Sequence, residues 1–230
     1  LAHNLGVLLP LAVVASITII FGSLRALTQD DLKRRLAYST VSQVSYIALG
    51  VALFGPAGTI GGLVHLVHQG IMKITLFFCA GNYAQTLGVH RVSQMAGIGR
   101  RMPWTTAAFS IGALGMIGVP PVAGFVSKWY LGLGAIESGL GWVLAVLLFS
   151  SLLNAAYFLP ILRLAWFEPA PAHWPHEAPD EPPRTGDAAP LLLLPTLCAA
   201  ALALLAGLAA GLPMSPLDWV KFITATEYLP

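Results

Sequence analysis

Six apolar stretches, each about 20 residues or longer, run through this 230-residue chain and limit its fold more than any other feature. A helix of about 20 residues crosses the hydrocarbon core of a bilayer, and it satisfies every backbone polar group within itself. Charged residues make up only 10% of the chain, 12 Lys and Arg against 10 Asp and Glu, and mean hydropathy is +0.76. Soluble domains carry about 25% charged residues. This balance excludes a disordered chain, a nucleic-acid binder and an ordinary cytosolic enzyme. The chain reads as an all-α membrane protein, a polytopic transmembrane helical bundle of about six spans.

The spans fall at about 5–27, 34–54, 58–84, 103–133, 139–166 and 189–212. The second opens on the amphipathic LKRRLAYSTVSQ. The fourth is too long for one straight crossing and is broken at Gly118–Gly124 by GVPPVAG. The loop at 167–188, rich in Pro, Asp and Glu, reads as a solvated connector without chemistry, and 213–230 as a short amphipathic tail. Cys79 and Cys198 lie in apolar runs, away from any metal-ligand spacing, and read as small buried side chains. The chain begins with Leu and its first run lacks a basic n-region, so it reads as starting mid-protein rather than on a signal peptide.

Where the basic residues sit sets an orientation. Arg25, Lys33, Arg34 and Arg35 lie between spans one and two, Arg91, Arg100 and Arg101 between three and four, and Arg163 and Arg184 flank the loop between five and six. If every span crosses, these nine share one side and only Lys221 lies on the other. The positive-inside rule then places the basic loops in the cytoplasm and both termini outside, in a cell inner (plasma) membrane.

Lys73 and Lys128 are the only formally charged groups at membrane depth; Glu137 sits at an outer end. A lysine at a helix centre costs at least about 2.5–3.5 kcal/mol, and such residues usually face a polar interior and mark an ion or proton path. Snorkelling to the headgroups is the bland alternative. Against it, Lys73 stands about 15 residues into its span. His65, His68, Gln69 and Lys73 form one helical stripe, within an arc of about 140° at 100° per residue. Two imidazoles that titrate near neutrality beside a buried amine are the parts of a proton relay. A lone buried histidine, by contrast, is as often a packing residue.

The fourth span supplies the other half. Its segment GMIGVPPVAGFVSK carries Pro120 and Pro121, which remove backbone donors, and glycines up to Gly124, which ease unwinding. Broken helices at membrane depth line cavities or lie buried in protein, and transporters use them to present backbone and a charged side chain to an ion. A simple proline kink is the alternative, yet it does not explain Lys128, four residues after Gly124 and next to the supporting polar Ser127.

Three motifs, DDLKRRLAYSTVSQVSYIALG, HLVHQGIMKITLFFCAGN and GIGRRMPWTTAAFSIGALGMIGVPPVAGFVSKWYLGLGA, together resemble the antiporter-like membrane subunits. Mrp-type Na⁺/H⁺ antiporters, respiratory complex I and membrane-bound hydrogenases share this family, and the motif wording is closest to its D-type Mrp members. The resemblance covers about residues 5–166. It implies a fourteen-helix fold of two inverted five-helix repeats, each with one broken helix. By it, residues 1–166 are the second repeat, 167–188 a cytoplasmic loop, and 189–212 the final transmembrane helix. It also implies a hydrated midplane path through Lys73, His68 and Lys128. The glutamate–lysine pair of the family's first repeat has no counterpart here.

The leading expectation is a proton- and cation-translocating subunit of a Mrp-type antiporter, with protons moving between Lys73 and Lys128 through His65, His68 and water. Coulomb repulsion between such sites would be about 2 kcal/mol at roughly 8 Å and an effective dielectric near 20. The implied partners are other membrane subunits of the same complex, protons and Na⁺, and the lipid bilayer, with no nucleic acid and no cofactor. The alternative is a proton-pumping subunit of complex I or a hydrogenase, and a structural scaffold stands behind it. A haem anchor fails because two histidines three apart on one helix cannot take both faces of an iron. No metal site and no enzyme activity of its own are expected; within a redox complex the chain would be part of a translocase.

Overall fold

Proline, glycine and one aspartate decide where the helices begin and end. The computed structural model describes residues 7–177 and 186–228, so the first two positions of the first span, Arg184 and the last two tail residues lie outside the described residues. The helices are α1 (Leu8–Leu27), α2 (Leu32–Ala52), α3 (Pro56–Leu87), α4 (Ile98–Arg101), α5 (Pro103–Ile117), α6 (Ala123–Glu137), α7 (Trp142–Phe167), α8 (Pro190–Leu208) and α9 (Pro216–Tyr228). A 3₁₀ turn, Val92–Gln94, precedes α4, and no strand occurs among the described residues. The Asp31 side chain caps α2 by accepting from the Arg34 amide at 2.8 Å. α3, α5 and α8 each start with a proline, whose missing N–H would have had no partner there. α5 ends on Gly118 at φ 95°, a left-handed conformation that glycine adopts without strain.

α1, α3, α7 and α8 are each long and apolar enough to cross a membrane. The other two crossings expected from the sequence fall on less obvious segments. α2 carries Lys33, Arg34 and Arg35 in its first turn and a run of hydroxyls after it. α5 and α6 have 15 residues each, about 22 Å at 1.5 Å per residue, and are too short to cross singly.

The bundle is inside-out in polarity. Val14, Ile17, Phe21, Leu148, Leu152, Leu194 and Leu202 face outward, whereas Ser39, Gln43, His65, His68, Gln69, Lys73, Ser127 and Asn154 are buried. α3 is the central post, packed against α2, α5, α6, α8 and α9. α1 and α2 form a close pair in which the Ser23 and Ser42 hydroxyls meet at 2.9 Å and Ser42 donates to the Ile19 carbonyl.

Two sequence expectations are corrected. The loop after α7 is not a free connector. Trp174 is buried, the His176 amide donates to Leu87 O, and Glu177 pairs with Arg101 at 3.3 Å. Asp187 accepts from the Trp104 and Thr105 amides at 2.8 and 3.1 Å, so it caps α5 from a distant part of the chain. Glu177 and Asp187 thus answer donors at helix ends rather than water. Cys79 is buried as expected, but Cys198 is exposed, because it lies off the stripe Thr196, Ala199, Ala200 and Ala203 that α8 buries.

The three basic loops meet at one end of the bundle. Leu32 N donates to His90 O, Val92 N to Asp30 O, and the Ser93 hydroxyl to Asp30, while the loop after α7 covers the ends of α3 and α5 beside them.

Backbone contacts at the break and the cap on α5 yield one prediction each. A Cβ on Gly124 would run into Gly115 O, and one on Gly207 would run into Pro121 O. Alanine at either position should therefore destabilise by at least about 1–3 kcal/mol, read as a lower unfolding temperature in detergent. Gly70→Ala and Gly81→Ala, which meet nothing within 4 Å, should unfold no earlier than the parent. Asp187→Ala, which strips the α5 cap, should cost about 0.5–2 kcal/mol in the same assay; an unchanged transition would show the cap to be idle.

Candidate functional site

Pro120 and Pro121 have no backbone N–H, so in a continuing helix the carbonyls four residues earlier, Met116 and Ile117, would have no donor. The chain unwinds between α5 and α6, and the Lys128 ammonium takes both carbonyls, at 3.0 Å to Met116 O and 2.9 Å to Ile117 O. Its third donor goes to the Ser151 hydroxyl at 3.0 Å. The four-residue step from Gly124 to Lys128 turns the side chain back over the break. The prolines themselves are exposed; they contribute by removing donors, not by lining the site.

Lys128 also lies over the Tyr46 ring, 5.5 Å from its centroid, and Tyr46 stacks at 5.0 Å on His65. His65 Nδ1 shares a 2.8 Å hydrogen bond with the Ser127 hydroxyl, one residue before Lys128. The structure thus brings His65, Ser127 and Lys128 together around Tyr46. His65 is within electrostatic range of both Lys128 and His68. His68 faces the start of α6, near Ala123, and Gln69 lies beside it on the same buried face of α3.

Lys73 is buried and points elsewhere. Its ammonium bonds Leu36 O at 3.1 Å and the Ser39 hydroxyl, both on α2. Neither lysine reaches out of the bundle to headgroups. Among the described residues no carboxylate faces either one, so hydroxyl and carbonyl dipoles carry the electrostatic load.

A row of buried polar atoms lies on α2 and α3: Gln43 Nε2 and Oε1, His65 Nε2, His68 Nδ1 and Nε2, and Gln69 Oε1 have no hydrogen-bond partner among the described residues. Leaving such an atom dry costs about 1–3 kcal/mol.

Sequence reasoning missed half of the site. Tyr46, Ser39 and Gln43 on α2, and Ser150, Ser151, Asn154 and Tyr157 on α7, complete the polar interior. Tyr46 donates to Ser150 at 2.7 Å, and Asn154 Nδ2 donates to Met116 O at 3.1 Å. The signal was present. Arg35, Ser39, Gln43 and Tyr46 recur every three or four residues on α2, as do Ser150, Asn154 and Tyr157 on α7.

Comparison with known proteins matches residues 4–154 to the family described as NADH:quinone oxidoreductase/Mrp antiporter, TM. The chain is 46% identical over 158 residues to NADH-quinone oxidoreductase subunit N of Desulforudis audaxviator (strain MP104C), covering 69% of this chain and 32% of that protein. It is 39% identical over 128 residues to Hydrogenase-4 component B of Escherichia coli (strain K12), covering 51% and 19%. A chain in the structure of the Mrp complex from Dietzia sp. DQ12-45-1b superposes with a TM-score of 0.84 at 30% identity, covering 97% of this chain and 48% of that one. The chain therefore spans a third or less of these two sequence relatives and about half of the structural one. Its two lysines held by backbone and hydroxyl groups, its broken helix and its motifs all fall within a chain that belongs to the NADH:quinone oxidoreductase/Mrp antiporter membrane family.

Proposed function

We propose that this chain is the proton-conducting part of an antiporter-like membrane subunit, in which Lys73 and Lys128 take up and release protons and His65 and His68 pass them through water. One observation carries the reading. Two ammonium groups are held inside the bundle around a row of imidazole and carboxamide atoms without protein partners. Side chains of that kind bond buried water, and water beside imidazoles is a medium for proton hops. Ser127 holds His65, Gln69 lies beside His68 on the same buried face of α3, and the break at Pro120, Pro121 and Gly124 holds Lys128. In this reading the basic loops face the cytoplasm across a plasma membrane, and the remaining membrane subunits of the complex supply the rest of the path.

The 46% identity to an NADH-quinone oxidoreductase subunit N favours a redox-driven complex as the host. The motif wording and the superposition on the Mrp complex structure favour a Na⁺/H⁺ exchanger instead. The two separate on energy source. The intact complex in proteoliposomes should acidify the lumen on addition of electron donor in the first case. In the second it should exchange Na⁺ for protons with no donor present.

Lys128 could also be read as a cap for the broken helix, and substitutions divide the readings. Arginine keeps the donors for Met116 and Ile117 but does not release its proton. In the full-length subunit within its complex, Lys128→Arg and Lys73→Ala should assemble normally. Both should lower proton translocation by at least about 100-fold, the scale of a lost acid–base group. Translocation at the parental rate in Lys128→Arg would reduce Lys128 to a cap.

A further inference from the structure

Resting on the proton-path reading, we infer that Tyr157 is a one-proton switch that transmits the protonation state of Lys73 to Lys128. The two lysines are joined through α7 by a chain of polar contacts that bypasses the histidines. Lys73 bonds the Ser39 hydroxyl. The Tyr157 hydroxyl meets Ser39 on one side and donates to Asn154 Oδ1 on the other. Asn154 Nδ2 donates to Met116 O at 3.1 Å, and that carbonyl also receives Lys128 at 3.0 Å. Tyr157 and Asn154 are fully buried.

A phenol has one proton and here two flanking acceptors, so it serves only one at a time. While Lys73 is charged, its ammonium occupies the Ser39 oxygen, Ser39 donates to Leu36 O at 2.8 Å, and Tyr157 turns to Asn154. That bond fixes the carboxamide with its N–H on Met116 O, where it competes with Lys128. When Lys73 gives up its proton, the amine gains a lone pair, the Ser39 hydroxyl can donate to it, and the Ser39 oxygen is left for Tyr157. Asn154 then loses the bond that orients it, and Lys128 takes Met116 O alone. A charged Lys73 thus weakens the hold on charge at Lys128, and a neutral one strengthens it. A carboxamide does not hand on protons as a hydroxyl or imidazole does. Asn154 and Tyr157 are therefore positioning residues: α7 carries the signal, and the water-binding row on α2 and α3 carries the proton.

The titratable and charged groups facing this chain are Arg35 and Tyr46 from α2, His65, His68 and Lys73 from α3, and Lys128 from α6. Arg35 donates to the Tyr157 carbonyl at 3.1 Å. α5 contributes no titratable side chain, and the one cation of α1, Arg25, lies over Tyr38 instead.

The test measures the pH profile of proton translocation by the full-length subunit in its complex, in parent, Tyr157→Phe and Asn154→Leu. Phenylalanine keeps the ring and removes only the switch. Two interacting sites titrate in two separated steps. Tyr157→Phe should draw the two limbs of the profile together and lower the maximal rate by about five- to tenfold, the low end of coupling between sites. Loosened packing would scale the whole curve and leave its limbs where they were. A parental rate and profile in Tyr157→Phe overturns the switch, as does a lower rate with unmoved limbs, and Tyr157→Phe decides alone if Asn154→Leu does not assemble. Lys128→Arg, run alongside, tells two failures apart. Loss there with a parental Tyr157→Phe defeats this inference only, whereas parental activity there defeats the proton path.

Discussion

The interior of this bundle depends on one substitution of donors. Two consecutive prolines remove two backbone N–H groups, and a lysine side chain from the next half-helix fills the place of both. A carbonyl left without a donor in a membrane interior is expensive, so the break and the lysine need each other. The arrangement puts a positive charge at membrane depth with its partners built from backbone, and it opens the polypeptide where α8 presses Gly207 against Pro121 O. Moving the lysine by one residue would aim it about 100° around α6 and leave both carbonyls unmet.

Much of this was legible in the sequence because membrane constraints act locally. A crossing needs length and apolarity, so most of the expected spans coincide with helices to within a few residues. An ammonium inside an apolar run is costly enough to be conspicuous, so Lys73 and Lys128 stood out singly. The stripe His65, His68, Gln69 and Lys73 followed from periodicity, and all four are buried on one face of α3. Ser39, Tyr46, Asn154 and Tyr157 escaped notice because each is tolerable alone in an apolar helix. Their importance lies in which helices face each other, and no local window contains that. The loop after α7 misled for a related reason. Glu177 and Asp187 count as solvated charges by composition, yet Asp187 caps a helix that begins 84 residues earlier, at Pro103.

The distribution of partners between the two lysines is uneven in a way that bears on mechanism. Lys128 is tied to main chain that is itself held by α8 and by Asn154, so its position is set by the fold of the break. Lys73 leans on the Ser39 hydroxyl and a single carbonyl of α2. A hydroxyl can reverse its role and donate to a neutral amine, whereas a carbonyl can only accept. Lys73 therefore has a neighbour able to follow its loss of a proton at once, while at Lys128 only the Ser151 hydroxyl can do the same.

Neither lysine has a carboxylate partner among the described residues, and this sets both apart from a structural ion pair. A buried ion pair is hard to break, since removing one charge strands the other at a cost of about 3–5 kcal/mol. Dipoles leave no stranded charge when the proton departs. The carbonyls of Met116 and Ile117 lose a donor, and Asn154 stands beside one of them to replace it. The same carboxamide that competes with Lys128 for Met116 O thus also softens the neutral state. An interior of this kind holds a cation without locking it, which is the electrostatic condition for a proton to stop on each lysine and then leave it.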